Sequence, residues 1–199
     1  MSPLRLTCWL SIGSTYTYLT ALRMKSVLDT ANLSIEVKPI SIRQIMKSMD
    51  NIPFPPSKQT KVEYMWRDIQ RRAAYYKLPL PDVPAPYPLQ EFDRANLVGI
   101  VMNEDGRYLD YFEKTYRKWF LEGKEAGSVE NLDDVLGEMG LDSSEILDRA
   151  ASRDVSAIYE ANTAQAQQSG VFGAPSFSIG QELFWGDDRL EDAIRFLNS

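Results

Sequence analysis

The hydrophobic pattern at the start of the chain predicts a strand, a helix and a second strand. In residues 4–10 the apolar side chains occupy every second position, which is the period of a half-buried strand. Residues 16–33 repeat their apolar side chains at helical spacing, and residues 33–40 alternate again. Two strands joined through a helix in so short a stretch indicate a βαβ unit with a parallel strand pair.

The centre of the chain has a helical pattern. Residues 58–78 carry a stripe of apolar side chains on one helical face. Residues 89–120 are also helical by pattern, and the motif at 104–106 can interrupt them. Residues 79–88, between these two segments, contain five prolines and cannot be helical. Three shorter helices are expected further on, at 129–139, 143–152 and 154–169.

The last 30 residues return to strand-like patterns. Residues 175–179 and 182–185 are two short runs joined by a Gly180-Gln181 turn, which predicts a β-hairpin. A final helix is expected over residues 189–197, directly after Gly186-Asp187-Asp188. The C-terminal segment is therefore predicted to be a ββα unit.

These two ends combine into a known arrangement. A βαβ unit followed by a ββα unit is the layout of the thioredoxin-like fold, which belongs to the α/β class. We therefore expect residues 1–40 and 170–199 to form a thioredoxin-like domain, with residues 41–169 as a large all-helical insertion domain. The sequence shows no repeat, low-complexity tract or linker that would separate independent domains.

Composition removes several kinds of chemistry. The chain has 199 residues, no histidine and one cysteine, Cys8. A histidine-assisted nucleophile, an intramolecular disulfide and a CxxC pair are therefore excluded, and no metal site is expected. Because Cys8 lies on the apolar face of the first strand, we expect a buried, inert thiol. The net charge of −6 argues against nucleic-acid binding.

Two further absences bear on location. No apolar run approaches the roughly 18 residues of a membrane span, and the first residues lack the apolar stretch of a secretory signal. A chain without disulfides suits a reducing compartment. We therefore expect a cytoplasmic protein that does not associate with membranes.

Two local motifs carry a specific resemblance. Residues 170–175 (GVFGAP) followed by 182–190 (ELFWGDDRL) are similar to the C-terminal motif of the 2-hydroxychromene-2-carboxylate isomerases and kappa-class glutathione transferases, the DsbA-like branch of the thioredoxin-like fold. Residues 14–19 (STYTYL) resemble the family's Ser-Pro-Tyr-Ser-Tyr-Leu, with Thr15 in place of the proline. The helical insertion also resembles that of the family, at Asn51, Lys61, Tyr64 and Asp68.

The resemblance implies a glutathione-dependent isomerase that acts on an aromatic carboxylate and forms a homodimer. In the family reaction a thiolate adds to a conjugated system, the former double bond rotates, and the thiolate leaves. Since this chain has no dithiol of its own, the reactive sulfur would come from glutathione. Two alternatives stay open: a kappa-like glutathione transferase, and a non-catalytic module that binds a partner at the Pro175 edge.

Ser14 is the residue to which the resemblance assigns a catalytic role. Its hydroxyl would donate a hydrogen bond to the glutathione thiolate, and Thr15 and Tyr16 would contact the same ligand. The predicted strand–helix junction supports this role, because free backbone N–H groups at a helix N-terminus favour an anion. From the residues alone, Ser14 and Thr15 are equally natural N-caps for the first helix.

The other ligand contacts are expected near the C-terminus. A cis bond is expected before Pro175, and it would turn the backbone of Ala174 outward to pair with the extended glutathione peptide. By resemblance, Asp187 and Asp188 would hold the ammonium of the γ-glutamyl end. Asp188 can instead form a capping box with Glu191.

The helical segment contributes two further candidates. By resemblance, Asn51 and Lys61 would contact glutathione or the acidic substrate, although a lone polar residue is a surface residue by default. Lys58 competes with Lys61 for this role. Six aromatic residues could line a substrate pocket, and none of them is assigned: Tyr64, Trp66, Tyr75, Tyr76, Tyr87 and Trp185.

Overall fold

Four short strands form one mixed sheet in the computed structural model, which describes residues 5–51 and 56–199. Strand β1 (Thr7–Leu10) pairs in parallel with β2 (Glu36–Pro39) and antiparallel with β3 (Ser176–Ile179). Strand β4 (Glu182–Trp185) pairs antiparallel with β3, so the strand order is β2-β1-β3-β4. The parallel N-terminal pair and the C-terminal hairpin confirm the predicted thioredoxin-like fold.

Ten α-helices accompany this sheet in the described part of the chain. They are α1 (Thr17–Ala21), α2 (Met24–Ala31), α3 (Ile42–Ser48), α4 (Gln59–Tyr75), α5 (Arg94–Glu104), α6 (Tyr108–Glu122), α7 (Val129–Glu138), α8 (Ser143–Ala150), α9 (Arg153–Gln168) and α10 (Leu190–Leu197). Helices α2 and α10 pack against each other, whereas α5 and α9 pack against β2. The large helical content between β2 and β3 is confirmed; the division into two domains stays a prediction.

Local signals explain several of these boundaries. The Ser128 and Ser152 hydroxyls accept hydrogen bonds from the backbone N–H three residues later, which begins α7 and α9. Gly123 ends α6 with φ of +70°, a conformation that glycine adopts without a steric penalty. As predicted, the helical pattern is interrupted at residues 104–106, where α5 ends, and residues 79–88 are not helical.

The aromatic stripe of α6 lies in the core and packs against α1. Its four side chains are all fully buried, at Phe112, Tyr116, Trp119 and Phe120. Tyr18 of α1 stacks on Phe120 with ring centroids 4.5 Å apart, and its hydroxyl donates to the carbonyl of Pro79. The first helix after β1 is therefore packed on α6 and on the proline-rich connector.

The prediction of one helix over residues 16–33 is wrong, because the chain breaks between α1 and α2 at Leu22 and Arg23. The Arg23 N–H bonds to the carbonyl of Thr20, three residues back, rather than continuing the α-helical ladder. The largely buried side chain of Arg23 reaches Asp187 and Glu191 near the C-terminus. Long-range contacts thus coincide with a break that the local pattern does not show.

Candidate functional site

The loop between β1 and α1, residues 11–16, contacts the segment before β3. In this Ser14 loop the half-buried Ser14 side chain donates a hydrogen bond from Oγ to the carbonyl oxygen of Ala174, 2.7 Å away. The Ala174–Pro175 peptide bond is cis, as predicted. Ser14, Ala174 and Pro175 are therefore adjacent in space although 160 residues separate Ser14 from Ala174.

The prediction that Ser14 or Thr15 caps the first helix is wrong. Helix α1 begins at Thr17, and Tyr16 occupies the N-cap position without a capping side-chain bond. The Ser14 hydroxyl is directed to Ala174, and the buried Thr15 hydroxyl donates to Sδ of Met65 at 2.9 Å. Both hydroxyls therefore make tertiary contacts instead of closing the helix end.

The first turn of α1 has few open backbone donors. The N–H groups of Thr17 and Tyr18 donate to the carbonyls of Ser14 and Thr15. The helix has only five residues, so its dipole is weaker than the sequence argument assumes. Within the described residues, the N–H groups of Thr15 and Tyr16 have no acceptor and are the donors that remain beside Ser14.

Neutral, buried hydrogen bonds fix the backbone of the Ser14 loop. The fully buried Asn96 amide accepts from the Ile12 N–H at 2.7 Å and donates to the Ile12 carbonyl at 2.9 Å. The Tyr116 hydroxyl donates to the Ser14 carbonyl at 2.9 Å. Because burial strengthens such bonds and makes their loss costly, α5 and α6 hold this loop in one conformation.

Gly13 is required by the shape of the same loop. Its φ is +126°, in a region that side chains with a Cβ rarely adopt. A Cβ at this position would lie 2.4 Å from the ring of Phe92. The close packing of Phe92 against the loop therefore depends on glycine.

Tyr16 points from the loop to α4. Its hydroxyl donates to Oδ2 of Asp68 at 3.1 Å, and Asp68 is also ion-paired with Arg71. Burial, followed by the negative charge of Asp68, raises the pKa of the Tyr16 hydroxyl well above its usual range. Tyr16 therefore keeps its proton at neutral pH and is available only as a neutral hydroxyl.

A second group of polar side chains lies at the Gly186–Asp188 turn. We call this group the arginine–aspartate cluster, made of Arg23, Arg72, Asp187, Asp188 and Glu191. Asp187 is buried, with 3% of its surface exposed. Nη2 of Arg72 lies 2.8 Å from its Oδ2, but within the described residues this oxygen accepts no hydrogen bond. Arg23 donates to the Asp187 carbonyl at 2.7 Å and is ion-paired with Glu191. The Asp187 carboxylate therefore faces Arg72 within the protein.

Burial raises the pKa of the Asp187 carboxyl to about 6, although Arg72 opposes the shift. The nearby Asp188 carboxylate adds to the increase. The ionised form of Asp187 is therefore costly in this environment, even with a guanidinium beside it.

Asp188 is more open than Asp187, and the predicted capping box is wrong. The Asp188 side chain is 39% exposed, and its Oδ2 lies 3.7 Å from Nη2 of Arg72 and 3.5 Å from Nη2 of Arg189. Helix α10 begins after Arg189 without a capping side chain. Glu191 is unavailable for a capping box because it is paired with Arg23.

The candidates from the helical segment are exposed. Asn51 lies just beyond α3, and within the described residues no hydrogen bond joins its side chain to the Ser14 loop. Lys61 and Tyr64 lie on the exposed side of α4, on the same helix as Asp68. The structure thus brings Ser14, Ala174 and Pro175 together, whereas among the described residues no hydrogen bond links Asn51 to them.

The six aromatic candidates divide by exposure. Trp66 is buried between Tyr87 and Phe120, so it belongs to the core. Tyr76 and Tyr87 are half-buried. Tyr64, Tyr75 and Trp185 are exposed.

Sequence reasoning missed Asn96, Arg23 and Arg72. Asn96 interrupts the apolar run of α5, and a lone amide in a buried run was a signal that it satisfies backbone groups. Arg23 stands among apolar side chains on a predicted helical face, which was a similar signal. Arg72 is one of several charged residues on α4, and nothing local distinguishes it.

Metal-binding clusters and membrane-spanning helices are both absent from the described residues. No group of three or more Cys, Asp or Glu side chains there is arranged to hold a metal ion. None of the helices described is both long enough and apolar enough to cross a membrane.

Comparison with known proteins gives several relatives. One is the 2-hydroxychromene-2-carboxylate isomerase of Sphingobium xenophagum, 26% identical over 181 residues, which cover 89% of this chain and 90% of the relative. The Pseudomonas putida protein of that name is 27% identical over 179 residues, covering 89% and 86%. Glutathione s-transferase kappa 2 of Caenorhabditis elegans is 24% identical over 188 residues, covering 88% and 82%.

Solved structures share the fold. A 2-hydroxychromene-2-carboxylate isomerase structure matches with a TM-score of 0.82 at 24% identity, covering 97% of this chain and 95% of the other. A probable DsbA oxidoreductase from Streptomyces coelicolor matches with a TM-score of 0.70 at 16% identity, covering 98% and 88%. The family model of the DSBA-like thioredoxin domain matches residues 5–197. The chain therefore belongs to the DsbA-like thioredoxin-domain family.

Proposed function

We propose that this protein is a glutathione-dependent isomerase resembling 2-hydroxychromene-2-carboxylate isomerase, with an aromatic carboxylate as substrate and Ser14 as its catalytic residue. The observation that carries the proposal is the contact between the Ser14 hydroxyl and the Ala174 carbonyl beside the cis bond. Relatives named for this activity align over 86–90% of their length at 26–27% identity, which supports the same assignment.

The residues present fit glutathione at the Ser14 loop. An extended peptide needs backbone donors along the edge that it pairs with. Within the described residues, the N–H groups of Ala174, Thr15 and Tyr16 have no protein acceptor. Ser14 is half-buried beside these donors. The Ser14 loop and Ala174 therefore present several N–H groups that could bind one ligand.

Glutathione would supply the thiolate that adds to the conjugated substrate and leaves again. Ser14 would turn its O–H from the Ala174 carbonyl to the sulfur, because one hydroxyl has only one proton to donate. A hydrogen bond to the charged form lowers the pKa of the thiol, and the Thr15 and Tyr16 N–H groups would act in the same direction. Cys8 is fully buried and its thiol pKa is raised, so it is unsuited to this role.

The outer contacts of the ligand are proposed on the resemblance. Asp188 is exposed enough to hold an ammonium, and Asn51 and Lys61 would contact glutathione or the substrate carboxylate. Asp187 is buried against Arg72, so its contribution would pass through that arginine. A cytoplasmic location and a homodimer complete the proposal.

A kappa-like glutathione transferase is a second candidate. It is favoured by the alignment with glutathione s-transferase kappa 2, which covers 88% of this chain. A transferase would use the same Ser14 contact with the sulfur but would release the conjugate instead of the free thiol.

Calorimetric titration with glutathione tests the shared basis of both candidates. The protein should bind glutathione, and Ser14→Ala should bind it more weakly and isomerise the chromene carboxylate at a rate reduced by about 10–100-fold. Ser14→Thr keeps a hydroxyl and is the matched control, with activity closer to that of the unmodified protein. No binding at millimolar glutathione would contradict both enzyme hypotheses and leave the non-catalytic binding module.

Ultraviolet absorbance with the chromene carboxylate then separates the two enzymes. An isomerase interconverts the cyclic and open forms while the free thiol concentration stays constant. A transferase consumes one thiol for each product formed. Full turnover by Ser14→Ala would contradict the role of the hydroxyl.

A further inference from the structure

A cavity of about 550 Å³ is lined by residues of α3, α5, α7 and α8 and of the segment before α5. We call it the Arg43 cavity, after the α3 arginine that lines it. Its volume lies in the range of sites that hold small molecules. Among the described residues, none of those proposed to bind glutathione lines it. The Arg43 cavity is therefore a second place in the molecule where a ligand can fit.

Part of the cavity wall is apolar and only partly covered by the protein. Leu97 of α5 and Leu147 of α8 line the cavity and are half-buried. Leu132 of α7 is fully buried, whereas Val129 of the same helix has 59% of its surface exposed. Because removal of apolar surface from water is favourable, this wall fits the apolar body of a small molecule.

Arg43 brings a positive charge to the cavity that the protein leaves without an ion pair. The residue is half-buried, and within the described part of the chain its guanidinium pairs with no carboxylate. Nη2 donates to the Leu89 carbonyl at 3.4 Å, and Nε and Nη1 have no acceptor among the same residues. A partly buried arginine normally has a charged partner. An incoming carboxylate would supply that partner and accept from the open N–H groups.

The other charged side chains of the cavity already have partners. Nη2 of Arg94 lies 3.1 Å from Oε2 of Glu91. Asp93 accepts a hydrogen bond from the Tyr159 hydroxyl at 3.0 Å. Asp93 also occupies the N-cap position of α5, where the positive end of the helix stabilises a carboxylate. Arg43 is therefore the charge in the cavity that a ligand would satisfy.

Phe92 holds the Arg43 guanidinium in place. Cζ of Arg43 lies 4.4 Å from the centroid of the Phe92 ring, which is a cation–π contact. The ring is buried and packs closely against Gly13 of the Ser14 loop. An arginine stacked on a fixed ring loses less side-chain entropy when it binds a ligand, and its planar guanidinium suits a carboxylate.

We propose that the Arg43 cavity binds a small apolar carboxylate, with the carboxylate on Arg43 and the hydrocarbon body against the leucines of α5, α7 and α8. This site goes beyond the proposed function, because it shares no described residue with the glutathione site. Phe92 is the wall between the cavity and the Ser14 loop.

Calorimetric titration with 2-naphthoate tests the proposal. This probe carries a carboxylate on an apolar ring system, and 2-naphthamide has nearly the same shape without the charge. The unmodified protein should bind 2-naphthoate with a submillimolar Kd. It should bind 2-naphthamide at least about 10-fold more weakly, because the charge-assisted hydrogen bond to Arg43 is lost.

Two variants locate the probe. Arg43→Gln should bind 2-naphthoate and 2-naphthamide with similar affinity. Ala151→Trp should bind neither probe, because Ala151 lines the cavity and is exposed, so an indole there fills the space without displacing the core. Thermal melts of both variants show that they are folded.

Two other variants are controls. Arg67→Gln removes an exposed arginine of α4 that contacts Gln70 and does not line the cavity. Ser14→Ala changes the glutathione site. Both variants should keep the full affinity for 2-naphthoate and the preference for it over 2-naphthamide.

Absence of 2-naphthoate binding by the unmodified protein would overturn the inference, and so would an unchanged preference in Arg43→Gln. Inorganic phosphate that binds as tightly as 2-naphthoate would also overturn it, since the site would then select any anion. Weaker 2-naphthoate binding by Ser14→Ala alone would place the probe at the glutathione site instead. These outcomes leave glutathione binding untouched, so the proposed function is tested separately.

Sedimentation of the unmodified protein and of Ala151→Trp tests the other possible occupant, a second copy of the chain. The two proteins should have the same oligomeric state. A dimer that dissociates in Ala151→Trp would overturn the inference, because the apolar wall would then be covered by the second copy.

Discussion

The Ser14 loop and the arginine–aspartate cluster are two parts of one candidate site that are held together by different forces. Neutral groups fix the loop: the Asn96 amide bonds both backbone groups of Ile12, and the Tyr116 hydroxyl bonds the Ser14 carbonyl. Charged groups hold the cluster, where Arg72 pairs with Asp187. The loop is therefore fixed independently of pH near neutrality, whereas the cluster responds to protonation.

This difference corresponds to the two tasks proposed for the site. Stabilisation of a thiolate requires hydrogen-bond donors in fixed positions. The buried, neutral hydrogen bonds of the Ser14 loop hold its donors in such positions. Binding of an ammonium needs a charged partner such as Asp188, and charges in a partly buried cluster are sensitive to pH. We therefore expect substitutions in the loop to lower the free energy of unfolding by the same amount at each pH. Substitutions in the cluster should change how the free energy of unfolding depends on pH.

Asn96→Ala should have the largest effect on stability. It leaves the N–H and carbonyl of Ile12 without partners in the core, so the free energy of unfolding should fall by about 3–5 kcal/mol. Urea denaturation measures this change. Asn103→Ala is the matched control on the same helix; Asn103 is exposed and makes one bond to the Val37 carbonyl, so the change should stay within about 0.5 kcal/mol. Similar losses for the two variants would show that the buried amide does not fix the loop.

Tyr116→Phe should have a smaller effect, and one that does not depend on pH. The ring stays buried, but the hydrogen bond to the Ser14 carbonyl is lost, which should cost about 1–2 kcal/mol of unfolding free energy. Burial raises the pKa of Tyr116 far above neutrality, so the cost should be the same at pH 5 and pH 7. A cost that differs between the two pH values would contradict the view of the loop as a neutral framework.

Asp187 should give the cluster a pH dependence of about 1 kcal/mol. Its pKa is raised to about 6 in the folded protein, so the folded state holds its proton more tightly than the unfolded state does. This contribution to stability is present below the unfolded pKa and is lost as the pH rises through about 6. The unfolding free energy of Asp187→Asn, relative to the unmodified protein, should therefore rise by about 1 kcal/mol from pH 5 to pH 7.

Urea denaturation of both proteins at the two pH values measures that rise. Other titrating groups are common to the two proteins and cancel in the difference. A difference that stays constant, or falls, would show that the carboxyl of Asp187 titrates as it does in the unfolded chain.

Patterns that depend on near neighbours were enough to predict most of the fold. Alternation and helical spacing gave the four strands, the C-terminal hairpin and the main helices, and the motif around Pro175 gave the cis bond. Local rules failed at Ser14 and Asp188. Capping rules consider only the next three residues, whereas Ser14 is directed to Ala174 and Glu191 to Arg23.

The supports of the site were beyond sequence reasoning for the same reason. Asn96 contacts Ile12 across 84 residues, and Arg72 meets Asp187 only after α4 has packed beside the C-terminal turn. Neither pair has a fixed spacing that a motif could encode. The residue types were informative, but their partners follow from the fold.

The most direct test of the account is the thiol pKa of bound glutathione, followed through the ultraviolet absorbance of its thiolate. Cys8 is buried with a raised pKa, so it adds no thiolate signal near neutral pH. With the unmodified protein and with Ser14→Thr, the bound thiol should ionise about one pH unit or more below the free thiol. With Ser14→Ala the pKa should return toward the free value while glutathione still binds. The same pKa in the Ser14→Ala complex as in the unmodified one would contradict the role of Ser14.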